Sequence, residues 1–378
     1  MDIESVLVFF LFFLLATIFE LHIGQEELKL KHYTILNNKY GIILCLYLFV
    51  IASLRSPFTG YDTHGYYSMY KDIVINNYSL TYYLSEMITG IIKNMYQDGM
   101  MWNLTSKICS YVIKSPQIWL SLNAGCFLLT IHFFIRKYSD NIVLSWVYFS
   151  SIYIFTFSLQ GLRQTMAMNC ILLSFMSLDK KEKFLIRYLF WIAMAYLFHQ
   201  SSIIFLISYP LMFIKKVPKY SILIIPIICL CVYFGNIFNM FIPIINITRF
   251  DVYLAEEEGL SLSGWIVLYL FYIYNYCCRL IYRDNDNDTK SDEIHCFWLN
   301  LTAIGVILQS FVCIIAEFFR LAHYFCIFNL LLLPKSCSMI KDHRKRRIHE
   351  LVILCLMTLY FFISGGFHYF FFWQEKRY

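Results

Sequence analysis

Long apolar runs alternate with short polar or turn-forming stretches along this chain. They predict twelve helices, near 5–22, 41–54, 117–135, 141–158, 163–178, 184–198, 200–214, 220–241, 262–281, 294–315, 318–334 and 349–366. Several approach the roughly 20 residues that cross a bilayer, and others fall short of it. A long hydrophilic stretch, 55–116, separates the second run from the third. It opens on Arg55-Ser56-Pro57-Phe58-Thr59-Gly60-Tyr61-Asp62, dense in turn formers, with Asp62 placed to start a helix over 63–70. Two amphipathic patterns follow at helical spacing. One comprises Leu84, Met87, Ile88, Ile91, Ile92 and Met95; the other comprises Met101, Leu104, Ile108, Tyr111 and Val112. Each reads as a helix lying on the outer leaflet or capping a cavity.

Composition turns this pattern into a membrane assignment. Of 378 residues, 59% are apolar and 15% charged, and 36 Phe, 30 Tyr and 7 Trp make 19% aromatic. A soluble domain carries roughly a quarter charged residues. Disorder, a coiled coil and a secreted disulfide scaffold are excluded, leaving an all-α, polytopic integral membrane domain spanning 1–378 with about twelve transmembrane helices. Asp2 and Glu4 stand where a signal peptide would carry basic residues, so the first run reads as an anchor. The 13 cysteines lie mostly in apolar runs, as small hydrophobes. Neither Cys277-Cys278 nor Cys229-x-Cys231 has the partners of a zinc site, so no metal or cofactor is expected.

The net charge of +6 records topology. Assigned to the ends of the odd-numbered helices, 21 of the 31 Lys and Arg fall on one side, which is therefore cytoplasmic. Both termini and the 55–116 insertion then face outward. Asp62, His64, Arg163, His199, Gln200, Arg249, Asp251, Glu317 and Arg320 all fall on that outer side.

These residues are the candidate chemistry. Arg163 lies between Gln160 and Gln164 at the outer start of a helix, one polar face near backbone N–H groups that suit an anion. A snorkelling arginine is the bland alternative. His199 and Gln200 occupy a turn inside 184–214, whose 31 positions give two legs of about 23 Å each, so the turn is expected below the outer surface. Glu317 and Arg320 share a helical face with His323 and Tyr324, either as a structural ion pair or as a donor-rich stripe at membrane depth. Asp62 is an outward acid among aromatics, able to act as a base or bind sugar hydroxyls, with His64 beside it. Arg249 is the lone cation of an outward loop ending in the acidic run Glu256-Glu257-Glu258. No P-loop, HExxH, GxSxG or outward DxD occurs; Asp286-x-Asp288 lies on the cytoplasmic side.

Gly60-Tyr61-Asp62 with Tyr66-Tyr67 and Tyr70, Leu162-Arg163-Gln164, Phe198-His199-Gln200-Ser201-Ser202 with Tyr209-Pro210, and Arg320 with Tyr324-Phe325 together resemble the EpsG family, relatives of the Wzy-type O-antigen and capsule polymerases. The resemblance spans nearly the whole chain. It implies a GT-C-like, metal-independent glycosyltransferase in the bacterial cytoplasmic membrane, joining undecaprenyl-pyrophosphate-linked oligosaccharides at the outer face. It also implies a flippase and a chain-length regulator of the same pathway as partners. On that reading Arg163, Gln164, Arg249, Arg320 and Tyr324 bind substrate or its pyrophosphate, and Asp62 or His199 is the base. His64, Gln200 and Glu317 support them. A flippase of lipid-linked glycan and a membrane acyltransferase are the competing classes. The first is expected to show repeat symmetry, with cations deep in both halves.

Overall fold

The computed structural model describes residues 3–26, 30–76, 78–93, 99–176, 184–234, 262–282, 289–313, 317–364 and 367–374. The described residues are helical throughout apart from turns and one isolated antiparallel bridge between Arg55 and Phe371. They fall into two compact units, Met1–Ile203 with Leu351–Tyr378, and Ile204–Glu350.

The first unit is built on three long helices, α1 (Ile3–Glu26), α2 (Leu30–Leu54) and α6 (Pro116–Tyr138). α1 shows why these are membrane spans. Its inner face buries Phe9, Phe12, Ala16 and Ile23, while its outer face exposes Leu7, Phe10, Leu14, Ile18 and Leu21. A helix apolar on both faces needs hydrocarbon as its solvent. Four helices among the described residues, these three and α13 (Ser263–Tyr282), are long and apolar enough to cross a bilayer singly.

A bent pair makes a fifth. The apolar run at 141–158 reads as one helix, yet it forms α7 (Ile142–Ser151) and α8 (Ile154–Gln160), bent by 57°. Tyr153 sits at the break with φ of 58°, a left-handed conformation costing a non-glycine residue roughly 1–2 kcal/mol. Every residue of both helices is buried. Broken backbone is tolerated at membrane depth only inside protein. Asn141 caps α7 through Leu144 N–H at 3.0 Å, and its amide donates to buried Glu20 at 3.0 Å. α9 (Leu162–Met176) follows α8 after Gly161, and α10 (Phe184–Phe198) packs along it.

The insertion between α2 and α6 folds as α3 (Thr63–Ile75), α4 (Leu80–Ile92) and α5 (Met100–Ser110), with both α3 and α4 packed on α5. The C-terminal residues return to fix its first turn. Ser56 N–H donates to Phe370 O at 2.7 Å, Thr59 Oγ1 to the same carbonyl at 2.9 Å, and Tyr369 Oη to Ile51 O at 2.6 Å. Arg55 is fully buried beside this strap and donates to Ala52 O at 2.5 Å. Burial lowers its guanidinium to about 10, and its Nε and Nη2 find no partner among the described residues.

The second unit comprises α11 (Ser208–Leu211), α12 (Ser221–Phe234), α13, α14 (Thr289–Ser310), α15 (Phe318–Cys326), α16 (Asn329–Ser338) and the start of α17 (His343–Ile363). α14 packs on α12, α13, α15 and α16. Tyr272 Oη donates to Ser221 Oγ at 2.7 Å, and Arg279 Nη2 to Asp292 Oδ2 at 2.8 Å.

Twelve single crossings are therefore not what the described residues form. The run at 200–214 becomes a 3₁₀ helix, Gln200–Ile207, and the one-turn α11; the run at 318–334 divides into α15 and α16. α2 begins at Leu30, well ahead of the run predicted at 41–54.

Candidate functional site

The junction of α8 and α9 is fastened to the start of α3 by three hydrogen bonds. Gln160 Oε1 accepts from Tyr61 N–H at 3.1 Å, Thr63 Oγ1 donates to Leu159 O at 3.0 Å, and Arg163 Nε donates to Tyr66 Oη at 3.2 Å. Gln160 is itself held, its amide donating to Tyr153 Oη at 2.7 Å, so the residue at the helix break orients the residue that grips the insertion. Arg163 Cζ also lies 5.6 Å from the Tyr66 ring centroid, a cation–π geometry.

Two glycines make this approach possible. Gly60 has φ of +86°, and a Cβ there would stand 2.7 Å from Gln160 Cβ; Gly99 has φ of +89°, and a Cβ there would stand 2.6 Å from Arg163 Cδ. Both need left-handed backbone and the missing side chain.

An aromatic wall backs the arginine. Tyr66 meets Trp102 edge to face at 5.4 Å, Trp102 meets Trp119 at 5.0 Å, and Tyr70 stacks on Trp119 at 4.3 Å. Tyr70 donates to Ile113 O at 2.8 Å, and burial pushes its phenol up to about 12. Leu162 belongs to this cluster, and Phe198, next to His199, packs against it.

Asp62 occupies the N-cap position of α3, as expected, but its side chain caps nothing; its carbonyl accepts Tyr66 N–H at 3.1 Å. An exposed carboxylate thus stands one helical turn from the tyrosine that holds Arg163. His64 stacks on Phe58, ring centroids 5.1 Å apart. Gln164 is buried behind Arg163. His199 lies between α10 and the 3₁₀ helix that Gln200 begins, both residues half-buried.

Arg320 and Glu317 belong to the second unit and form an ion pair, Nε to Oε2 at 2.6 Å. Arg320 Cζ lies 5.8 Å from the Phe319 ring. The donor stripe expected along α15 does not form as such: His323 is buried and Tyr324 is fully enclosed, so only Arg320 of the three is partly open. Arg249 and Asp251 lie outside the described residues.

The amphipathic patterns divide. α4 exposes Leu84, Ile88, Ile91 and Ile92, as a helix resting on lipid would. Of the second pattern, Ile108, Tyr111 and Val112 are exposed and Leu104 is buried, while α5 also buries Trp102, Ser106, Lys107 and Ser110. Among the described residues no three His, Cys, Asp or Glu side chains gather as a metal-binding group.

Gly99 and the Trp102–Trp119 pair escaped the sequence reading. A single glycine and two tryptophans carry no spacing signal until α5 and α6 are placed against α3 and α9.

The chain matches the family model described as the EpsG family over residues 38–374. No curated protein and no solved structure matches it. The match covers most of the length, including every element that builds the Arg163–Tyr66 contact. The chain is a membrane protein that belongs to the EpsG family, a family of Wzy-type polysaccharide polymerases.

Proposed function

We propose that this chain is a polysaccharide polymerase that joins undecaprenyl-pyrophosphate-linked oligosaccharide repeat units at the outer face of the bacterial cytoplasmic membrane, for O-antigen, capsule or exopolysaccharide. The observation that carries the reading is Arg163, oriented by Tyr66 and backed by aromatic rings, with the Asp62 carboxylate one helical turn away.

The chemistry runs as follows. A hydroxyl oxygen at the non-reducing end of the acceptor attacks the anomeric carbon of the donor repeat. The bond from that carbon to the pyrophosphate oxygen breaks, and the lipid pyrophosphate leaves with the electron pair. Arg163 neutralises the charge developing there, because a guanidinium fork matches phosphate oxygens and acts as a fixed cation without a metal. Asp62 or His199 takes the acceptor proton. Gln164 and Gln200 position these groups, and His64 lies beside Asp62. Arg320, held by Glu317 with Tyr324 packed behind, is a second cation with a variant of its own to test it; Arg249 is assigned the same substrate-binding role. The GT-C-like architecture, both termini outside, and a flippase and chain-length regulator as pathway partners belong to this reading.

The test is complementation of a deletion strain. Arg163→Ala and Arg320→Ala each leave surface glycan of a single repeat while the protein still inserts. Long chains in both would overturn the proposal. Repeats trapped facing the cytoplasm would indicate a flippase, and lost acylation at normal chain length an acyltransferase.

A further inference from the structure

α3 has a second working face. Thr63, Tyr66 and Tyr70 point toward the Arg163 junction and the tryptophans, whereas Gly65, Ser68, Met69, Asp72, Ile73 and Asn76 line a different face. That face borders a cleft of about 410 Å³ closed by Tyr83 of α4 and by Asn103 of α5. The volume falls within the range of small-ligand cavities.

The lining is specific in kind. Among the described residues it offers one carboxylate, two carboxamides, a hydroxyl and a phenol beside the apolar Met69 and Ile73, with no Lys or Arg. Carboxylates and carboxamides bridge neighbouring hydroxyls through paired donors and acceptors, and a tyrosine ring offers a face to the C–H side of a sugar. A pyrophosphate or a uronic acid meets the charge of Asp72 here and no cation among the described lining residues. Gly65 contributes space: a Cβ built on it meets no atom within 4 Å. The cleft also adjoins the site already described, because Gly65 precedes Tyr66, and Asn103 follows Trp102 in the aromatic wall.

We infer that this cleft is the acceptor subsite, gripping uncharged, hydroxyl-rich sugar at the non-reducing end of the acceptor glycan while Arg163 handles the donor's pyrophosphate. The inference rests on the polymerase reading and adds to it where the acceptor is held and that acidic sugars are disfavoured there.

The test uses the purified full-length protein in detergent. Oligosaccharides of one to three repeats, released by mild acid from the glycan of the producing cells, serve as the probe, and saturation-transfer NMR reads binding. Wild type binds. Gly65→Phe, which fills the cleft, and the pair Asp72→Asn with Asn103→Ala each weaken binding at least about tenfold, the scale of one or two lost polar contacts to a sugar. Ile88→Ser, on the exposed face of α4, binds as wild type does. The polar pair decides the question should Gly65→Phe elute as aggregate. No binding by wild type, or equal binding by wild type and both cleft variants, overturns the inference. That outcome leaves the polymerase reading standing, since the chain length of the Arg163→Ala and Arg320→Ala cells tests that reading separately.

Discussion

Arg163 Nε donates to the phenolic oxygen of Tyr66 at 3.2 Å, across 97 residues of sequence. The bond joins the first turn of α9 to the first turn of α3, so the arginine and the insertion between α2 and α6 are placed by one another. Asp62, on the same helix as Tyr66, is positioned by the same contact.

Tyr66→Phe isolates that bond, because the ring and its cation–π contact persist. Losing a hydrogen bond to a charged donor costs about 1–2 kcal/mol, or roughly five- to thirtyfold in rate if it acts on the reactive geometry. Shorter glycan chains at unchanged protein level are expected on gel analysis of surface polysaccharide, with a milder defect than in Arg163→Ala.

Gly99→Ala is expected to act through Arg163. The new Cβ would lie 2.6 Å from Arg163 Cδ on a backbone at φ of +89°, so the arginine must move and the loop pays about 1–2 kcal/mol. A displacement near 1 Å at a reacting centre costs about a hundredfold. Gly65→Ala, inside α3, meets no atom within 4 Å and should not lower the thermal midpoint, since alanine favours the helix by about 0.4–1 kcal/mol. Thermal unfolding of both purified variants, with chain-length analysis of Gly99→Ala, checks the contrast.

Glu317→Gln separates holding from stabilising. The ion pair with Arg320 is partly exposed, side chains 24% and 32% open, and such pairs contribute less than about 1 kcal/mol. The thermal midpoint should therefore barely move while chain length falls, because Arg320 loses its anchor. A lower midpoint with normal chains would mark the pair as purely structural.

Tyr369→Phe tests the C-terminal strap. Its hydroxyl donates to Ile51 O at 2.6 Å inside a buried contact, and losing it should cost about 1–3 kcal/mol, leaving a buried carbonyl unmet. Because the strap also holds Ser56 and Thr59, the turn carrying Asp62 should loosen. Faster proteolysis within 55–62 in the variant is the observable.

The chemistry-bearing residue types were legible before the fold was. Arg163, Gln160, Asp62 and His199 stood out because polar groups are rare in such an apolar chain. Their pairing was not legible. Nothing in the continuous apolar run at 141–158 marks the break at Tyr153, because no glycine or proline interrupts it. The face of α5 was legible only in part. Periodicity locates an apolar stripe, but beside a membrane that stripe faces lipid as readily as protein, so Ile108 points out while Lys107 and Ser110 are covered. The division of the run at 318–334 hid Tyr324 in the same way, by packing that composition does not encode.

The central claim is that Arg163 serves the transfer of a glycan from a lipid pyrophosphate. It is tested most directly in proteoliposomes holding the purified chain and undecaprenyl-pyrophosphate-linked oligosaccharide as the sole substrate. Wild type should yield multi-repeat glycan and release one undecaprenyl pyrophosphate for each repeat added. Arg163→Ala, inserted at equal level, should do neither. Multi-repeat glycan from Arg163→Ala at the wild-type rate would contradict the account.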